Sequence, residues 1–233
     1  MTEEHSGAGR AGAFFGRRKG HRLRPRQADL IANLLPQLAL DLATPPPAAL
    51  TALFPVAVDK VRLEIGFGGG EHMIAEALAE PRTGFIGCEP FVNGMAMALA
   101  GIEARGLRNI RLHFADATEM LAWLPAGALA RVDLIHPDPW PKRRHWKRRF
   151  IQDASVSEIA RVLAPGGELR FVTDWADYAA WALERLLRSG QFEWNAGRAD
   201  DWRLPWAGFS GTRYGAKARR EGRPGCYLTF RRR

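Results

Sequence analysis

Short apolar runs alternate with helical segments along the chain from Val61 onward. Brief apolar runs are typical of buried strands, and apolar residues at helical spacing indicate the helices between them. Repeated strand–helix units predict a mostly parallel sheet that is covered by helices on both faces. The predicted strands are Val61–Ile65, Thr83–Cys88, Ile110–Phe114, Val132–Ile135 and Glu168–Val172. The predicted helices are Glu71–Ala79, Asn93–Arg105, Thr118–Leu124, Phe150–Leu163 and Trp175–Ser189.

The end of the chain departs from this alternation. Gln191–Trp194 and Cys226–Arg231 have the pattern of strands with no helix between them, so we expect an antiparallel pair at the sheet edge. The glycine-rich, basic stretch 195–225 is predicted to loop between these strands. The expected fold class is therefore α/β, a doubly wound, Rossmann-like, mostly parallel sheet with an antiparallel C-terminal edge pair.

The chain divides into three predicted segments. Residues 1–26 mix glycine, arginine and polar residues without a period, which predicts a mobile basic arm. Residues 27–60 are predicted to hold a helix interrupted by Pro36 and a linker broken by Pro45-Pro46-Pro47. Residues 61–233 are predicted to form the α/β domain, and they are numerous enough for a full core.

The charge of the chain points to a polyanionic partner. The net charge is +9, and its excess is clustered in residues 17–26, 142–149 and 213–233. Clustered cations of this kind are typical of nucleic-acid binding. A membrane surface is the competing polyanion, but the sequence has no basic amphipathic helix with a broad apolar face.

The sequence carries no signal for secretion or for a membrane. No apolar run approaches bilayer length, and the first residues lack the apolar core of a signal peptide. Cys88 and Cys226 are far apart and lack zinc-type spacing. We therefore expect a cytoplasmic protein with reduced thiols and no metal site.

A glycine-rich loop follows the first predicted strand, in the sequence Glu64-Ile65-Gly66-Phe67-Gly68-Gly69-Gly70. Glycines at such a turn let the backbone pass close to a ligand. The spacing is not the Gly-x-Gly-x-x-Gly of dinucleotide binders, because Glu71 occupies the last position. Glu64 and Glu71 would repel a pyrophosphate but would tolerate a sulfonium or an ammonium group.

Two further acids follow the next two strands. Glu89 closes the second strand, where a carboxylate can accept hydrogen bonds from both hydroxyls of a ribose. Asp116 follows the third strand, where it can meet an adenine amino group. Each acid alone is equally explained as a solvated strand end. Together with the glycine loop, they favour a nucleoside that bears an amino acid but no phosphate, which describes S-adenosylmethionine.

The stretch from His136 to Arg149 combines three prolines, an acid and many cations. Alternate prolines hold the chain extended, so Asp138 is predicted to stand on a stiff loop after the fourth strand. Six Lys or Arg residues follow it, interleaved with aromatic rings. That mixture suits a phosphate backbone with flat bases. The competing interpretation is a solvated charged loop with a proline kink.

These residues resemble the tRNA (guanine-N7-)-methyltransferases, which are class I enzymes dependent on S-adenosylmethionine. The Glu64-Ile65-Gly66-Phe67-Gly68 loop is similar to theirs, and Pro137-Asp138-Pro139-Trp140-Pro141-Lys142 is close to a hallmark of the family. Thr173-Asp174 after the fifth strand also resembles the family pattern. The resemblance covers residues 14 to 230 and implies a Rossmann-like methyltransferase fold.

The resemblance implies a role for each matching position. The implied cofactor-binding residues are Glu64, Gly66, Gly68, Glu89, Asp116 and Asp138. The implied or charge-derived substrate-binding residues are Lys142, Arg143, Arg144, Asp174, Thr212, Arg213, Tyr214 and Gly215. Asp138 is the implied catalytic acid, and the sequence does not divide the work between Asp138 and Asp174.

One motif departs from the family pattern. Members usually carry Thr-Lys-Phe-Glu near the C-terminus, whereas this chain has Thr212-Arg213-Tyr214-Gly215. Arginine and tyrosine keep the charge and the ring, but Gly215 lacks the acid. The glutamate's role is therefore either missing here or supplied elsewhere, for example by Glu221.

The activity implied by the resemblance is methyl transfer to N7 of a guanine in the variable loop of tRNA, at tRNA position 46. The implied partner is tRNA, with no membrane contact and no obligatory protein partner, for a monomer or a homodimer. Three alternatives stay open: another RNA methyltransferase, a non-catalytic RNA-binding protein of the same fold, and a nicotinamide-dependent dehydrogenase. The glycine spacing and the surrounding acids count against the dehydrogenase.

Overall fold

The computed structural model describes residues 16, 18 and 20–233 of the chain. The predicted mobile arm therefore lies outside the described residues, except for Gly16, Arg18 and residues 20–26. The first helix begins at Pro25, whose fixed φ suits the first position of a helix.

The described residues form one seven-stranded sheet with the strand order β3-β2-β1-β4-β5-β7-β6. Strands β1 to β5 pair in parallel, and β7 pairs antiparallel with both β5 and β6. This confirms the Rossmann-like sheet with an antiparallel C-terminal edge pair. The strands are β1 (Lys60–Ile65), β2 (Thr83–Cys88), β3 (Ile110–His113), β4 (Leu129–Ile135), β5 (Leu163–Thr173), β6 (Phe192–Trp194) and β7 (Cys226–Arg232).

Helices connect the parallel strands and cover the sheet, as the alternation predicted. The α-helices are α1 (Pro25–Asn33), α2 (Leu35–Leu38), α3 (Glu71–Ala79), α4 (Val92–Arg105), α5 (Ala117–Trp123), α6 (Asp153–Val162), α7 (Ala176–Arg188), α8 (Asp200–Arg203) and α9 (Arg213–Arg220). Two short 3-10 helices lie at Leu50–Leu53 and Arg143–Arg148.

The two faces of the sheet pack against different apolar clusters. On one face, alternate strand residues such as Leu63, Leu134 and Phe171 are fully buried in a large apolar cluster with residues of α5, α6 and α7. On the other face, a second apolar cluster joins β2 and β3 to α1, α3 and α4. The period of two in a strand produces this division, because successive side chains point to opposite faces.

On the same face of the sheet as the second apolar cluster, the side chains of β1 and β4 are charged. Arg131 Nε donates to Asp133 Oδ2 at 2.8 Å, and Arg62 Nη1 donates to Glu76 Oε2 at 3.0 Å. Arg131 also pairs with Glu76, which lies on α3. Buried charges are tolerated when they are paired in this way. The network fixes α3, and with it the glycine loop that precedes α3, against the sheet.

The structure corrects three details of the predicted elements. Stretch 195–225 was predicted to be a loop, which is wrong, because it contains α8 and α9. Helix α6 begins at Asp153 rather than at Phe150, since Ser155 Oγ accepts the Gln152 N–H at the helix start. Strand β5 begins at Leu163, and a register shift against β4 accommodates the Pro165-Gly166 turn within it.

Candidate functional site

The carboxyl ends of the five parallel strands meet at one edge of the sheet, as a doubly wound topology requires. The glycine loop follows β1, Glu89 follows β2 and Asp116 follows β3. Asp138 and Asp174 follow β4 and β5. The structure therefore brings together every acid that was predicted from a strand end.

The glycine loop turns through left-handed backbone conformations. Gly66, Gly68 and Gly70 have φ values of 69°, 58° and 78°, which side chains with a Cβ rarely adopt. The Gly68 N–H donates to Glu89 Oε2 at 2.7 Å, so the loop is tied to the end of β2. The loop thus presents bare backbone at the edge of the sheet, in a conformation that depends on glycine.

Glu89 is buried between the carboxyl end of β2 and the glycine loop that follows β1. Its Oε1 accepts the Phe91 N–H at 2.9 Å, while Oε2 accepts that of Gly68. Burial raises the pKa of Glu89 to about 7, although both backbone N–H groups act to lower it. The nearby carboxylates of Asp138 and Glu64 raise it further. A cation placed among these acids would be stabilised, and a phosphate would be repelled.

Asp116 stands at a cleft of about 310 Å³ beside α5. Its Oδ1 accepts the Thr118 N–H at 2.9 Å and caps the helix, whereas Oδ2 makes no hydrogen bond among the described residues. The cleft is lined by Arg18, Pro90, Val92, Phe114, Ala115, Asp116 and Glu119. A flat aromatic side chain and a free acceptor oxygen suit a nucleobase with an amino group.

The chain ahead of α1 reaches the same cleft. The Arg18 carbonyl accepts the Val92 N–H at 3.1 Å, at the start of α4. The Asn93 side-chain amide binds Gly20 and His21: its Oδ1 accepts the Gly20 N–H at 2.9 Å, and its Nδ2 donates to the His21 carbonyl at 2.8 Å. Arg18 was not predicted to be a site residue, and its position depends on contacts with α4 that the sequence does not reveal.

Glu64 is hydrogen-bonded to His72, on the helix α3 that follows the glycine loop. The carboxylate lies 2.7 Å from His72 Nδ1, and both side chains are buried. Burial alone would lower the pKa of His72, but the Glu64 carboxylate raises it above its ordinary value. The His72 ring also contacts Phe209, with ring centroids 5.4 Å apart. The predicted contact of Glu64 with a cofactor stays a prediction.

The loop that carries Asp138 is strained and firmly held. His136 and Trp140, on either side of Asp138, have φ values of 52° and 44°, which are rare for residues other than glycine. Strain of this kind persists only where the surroundings fix it, and it concentrates at functional sites. The side chain of Arg149 supplies a fixed point, because its Nε donates to the Pro139 carbonyl at 2.8 Å.

Asp138 itself makes no hydrogen bond among the described residues. It remains accessible to solvent, but the protein around it partly desolvates its carboxyl group and raises its pKa above the ordinary value. The carboxylate is therefore available to a ligand at the strand edge, close to the acids of the glycine loop.

The cations after Asp138 divide into two kinds. Lys142, Arg143 and Arg144 are exposed at the start of the 3-10 helix. Arg149, which was grouped with them in the sequence, is 2% exposed and donates to Asp177 at 2.6 Å. Its guanidinium lies 4.8 Å from the centre of the Tyr178 ring. The prediction that all six cations suit a phosphate backbone is therefore wrong for Arg149, which supports the loop from inside.

Asp174 lies between two basic side chains. Arg223 Nε donates to its Oδ2 at 2.7 Å, and His136 Nδ1 is 3.5 Å from its Oδ1. Sequence reasoning missed both partners. The position of His136 directly after β4 was a usable signal, whereas Arg223 is 49 residues away and carries none. Arg223 also pairs with Glu221, which is therefore directed toward this cluster.

The segment Thr212–Gly215 covers the glycine loop. Thr212 caps α9, since its Oγ1 accepts the Gly215 N–H at 3.0 Å. Arg213 pairs with Glu71 beside the loop. Tyr214 is 60% exposed, and a Cβ at Gly68 would lie 3.7 Å from its ring. The structure thus brings this segment to the edge where the predicted cofactor residues lie.

The described residues contain no cluster of three or more side chains suited to a metal ion. No helix in this part of the chain is long and apolar enough to cross a membrane.

The chain is similar to known methyltransferases. A protein-family model described as a putative methyltransferase matches residues 59–227. A tRNA (guanine-N(7)-)-methyltransferase from Rhodopseudomonas palustris (strain BisA53) is 67% identical over 221 residues, which cover 95% of this chain and 88% of that protein. A protein of the same name from Nitrobacter winogradskyi is 64% identical and covers 95% of this chain and 86% of its own length.

Solved structures of other methyltransferases share the fold. The 16S rRNA methyltransferase KamB has a TM-score of 0.53 at 17% identity, over 75% of this chain and 88% of that chain. A precorrin-6y C5,15-methyltransferase from Geobacter metallireducens GS-15 has a TM-score of 0.52 at 16% identity, over 76% of this chain and 84% of that chain. At these identities the likeness concerns the fold alone.

Proposed function

Because the chain belongs to the tRNA (guanine-N(7)-)-methyltransferase family, we propose that it transfers a methyl group from S-adenosylmethionine to N7 of a guanine in tRNA. One observation carries the proposal: the glycine loop and its acids share a sheet edge with the strained Asp138 loop and its exposed cations. We further propose the guanine of the tRNA variable loop as the target.

The residues at the strand ends fit the proposed cofactor. S-adenosylmethionine supplies an electrophilic methyl group on a positively charged sulfur. The backbone of Gly66 and Gly68 would face its amino-acid part, and the acids around the loop would favour its positive charge. Glu89 would accept hydrogen bonds from the ribose, and Asp116 from the adenine amino group in the cleft.

Asp138 would stabilise the positive charge that develops on the guanine, and it would not serve as a general base. N7 carries a free lone pair at neutral pH, so the reaction requires no proton removal. The larger contribution of the protein would be to hold the reacting atoms in line. The ring becomes positively charged as the bond forms, and an ionised Asp138 beside it would stabilise that charge. Asp174 would accept hydrogen bonds from the N1 and N2 donors of the same base.

The exposed cations would bind the tRNA backbone. Lys142, Arg143 and Arg144 extend into solvent next to Asp138, where they can contact phosphates. Trp140 and Trp146 lie under Arg148 and Arg143, at 5.0 and 5.5 Å from the guanidinium carbons. Because N7 faces the deep, narrow groove of an RNA helix, the base would be presented from an opened or distorted site.

Incubation with unmodified tRNA and labelled S-adenosylmethionine, followed by nucleoside analysis, tests the proposal. We expect label in N7-methylguanosine from this chain alone, which would also support an enzyme without an obligatory protein partner. Label in another nucleoside would favour a different RNA methyltransferase. Cofactor binding without any label in tRNA would contradict the proposed reaction, and absence of cofactor binding in calorimetry would favour a silent RNA-binding protein.

A further inference from the structure

We propose that His136 is a positioning residue for Asp174 in the guanine pocket, in a space that Gly215 leaves open. The inference rests on the proposed function, and it concerns a residue that begins the Asp138 stretch but to which the sequence assigned no role. Three observations carry it: the strained backbone of His136, its place beside Asp174, and the close approach of α9.

The backbone of His136 turns its side chain inward. Its φ value is 52°, and its N–H donates to the Val172 carbonyl of β5 at 2.8 Å. The imidazole is 5% exposed, although the residue lies on a loop directly after β4. A non-glycine residue held in this conformation at a strand end indicates a functional constraint rather than a free turn.

The imidazole faces one oxygen of Asp174 while Arg223 holds the other. Arg223 Nε donates to Oδ2 at 2.7 Å, and His136 Nδ1 stands 3.5 Å from Oδ1. That separation exceeds a hydrogen bond, and buried Nδ1 has no hydrogen-bond partner among the described residues. A small movement of the carboxylate would complete the bond. An ionised carboxylate has about four acceptor positions, so two remain for the N1 and N2 donors of a guanine.

Gly215 provides the room for this imidazole. A Cβ at this position would lie 3.0 Å from His136 Nε2, which is closer than a side chain normally approaches. The start of α9 is tied to the end of the glycine loop, because Arg213 pairs with Glu71. The glycine that departs from the family's Thr-Lys-Phe-Glu pattern is thus matched to a ring from the Asp138 loop.

The charges around His136 favour the neutral ring. Burial lowers the pKa of His136, the Asp174 carboxylate raises it, and Arg219 on α9 lowers it. The pKa lies below its ordinary value as a result. A neutral imidazole can carry its proton on Nδ1 and donate a hydrogen bond from that N–H to Asp174.

The first test compares His136→Phe with His136→Gln in steady-state kinetics. We expect His136→Phe to lower kcat/KM for tRNA at least about tenfold, as loss of a hydrogen bond to a charged group does. His136→Gln, which retains a donor, should stay within about threefold of the parent. Cofactor affinity, measured by calorimetry, should change by less than about twofold in both variants, because a positioning role concerns the guanine side.

A double-mutant cycle tests the match with Gly215. The backbone of Gly215 is compatible with alanine, so Gly215→Ala should fold and should lower kcat/KM for tRNA by crowding the imidazole. In a His136→Ala background the same substitution should have no further effect. An equal loss in both backgrounds, or a His136→Phe variant within about twofold of the parent, would overturn the inference. A parent protein that does not methylate tRNA would overturn the proposed function, and this inference with it.

Discussion

At the scale of single residues, Asp138 offers the sharpest test of chemistry against binding. The loop is held by Arg149 through the Pro139 carbonyl and not by the Asp138 side chain, so Asp138→Ala should disturb the fold little. Loss of a charge-stabilising group should lower the single-turnover rate on the order of a hundredfold with both ligands saturating. Asp59→Ala, at the opposite edge of the sheet, is the matched control.

Two other outcomes for Asp138→Ala carry different meanings. If the carboxylate mainly holds the cofactor, the Michaelis constant for S-adenosylmethionine should rise, and turnover should recover at high cofactor concentration. A single-turnover rate within about threefold of the parent is too small for a charge-stabilising group and would contradict the catalytic role.

Glu89 should make cofactor affinity depend on pH near neutrality. Burial raises its pKa to about 7, so the carboxyl group takes up a proton as the pH falls through that value. The protonated form loses acceptor capacity toward a ribose. We expect the affinity for S-adenosylmethionine, measured by calorimetry, to weaken as the pH is lowered from about 8 to about 6. Glu89→Gln should bind more weakly at high pH and should lose this dependence, whereas an unchanged pH profile would remove Glu89 from the ribose site.

The acids of the site could be predicted from the sequence, but their neighbours could not. Glu89, Asp116, Asp138 and Asp174 follow predicted strands, and a parallel sheet brings such positions together. Arg149 resembled its neighbouring cations, because six adjacent Lys or Arg residues do not reveal which one points inward. That choice depends on Asp177 and Tyr178, which lie on a helix formed later in the chain.

At the scale of elements, the regular strand–helix units were predicted well and the irregular C-terminal segment was not. Helix α3 and strand β2 have the predicted bounds, because α3 begins directly after the glycine loop and β2 is a short run whose six residues are all buried. Stretch 195–225 has no clear apolar period. Its path depends on tertiary contacts, such as the packing of Trp206 and Phe209 on Tyr227. Local composition therefore favoured a loop where two short helices form.

The charged layer between α3 and the sheet makes a separate prediction. Glu76 is partly enclosed between Arg62 and Arg131, whose side chains are 8% and 4% exposed. Glu76→Ala removes one carboxylate from both guanidinium groups, while Arg62 keeps Glu80 and Arg131 keeps Asp133, and should lower the free energy of unfolding by about 1–3 kcal/mol. Glu103→Ala breaks an exposed pair with Arg26 and should lower the free energy of unfolding far less, because solvent screens an exposed ion pair. Denaturant titration compares the two, and equal losses would contradict a stabilising role for the buried network.

At the scale of the whole molecule, the chain concentrates opposite charges at one edge of the sheet. Acids surround the glycine loop, and the cations of residues 142–144 lie beside them, next to Asp138. Arg18, Gly20 and His21 of the basic N-terminal segment reach the same edge, through hydrogen bonds with Val92 and Asn93. Adjacent acidic and basic groups of this kind suit two ligands of opposite charge that must meet, a cationic cofactor and a polyanionic RNA.

The salt dependence of tRNA binding tests that arrangement. Cations that contact phosphates release condensed counterions, so affinity falls as salt rises. The triple variant Lys142→Ala, Arg143→Ala, Arg144→Ala should bind tRNA more weakly and should show a shallower slope of log affinity against log salt. The slope should shrink by up to about 0.7–0.9 for each phosphate contact that is lost. Cofactor affinity should not change, because these exposed side chains do not line the cleft at Asp116, where we propose that the adenine of the cofactor binds.

A matched control removes two cations from the opposite edge of the sheet. Lys60 and Arg82 lie at the amino ends of β1 and β2, paired with Glu80 and Asp59. Replacing both with alanine lowers the net charge by two, against three for the triple variant. If affinity depended only on net charge, the control would flatten the salt slope about two thirds as far. We expect the control slope to equal that of the parent, because counterions are released only where cations meet phosphates. Equal slopes for the parent and the triple variant would remove residues 142–144 from the RNA interface.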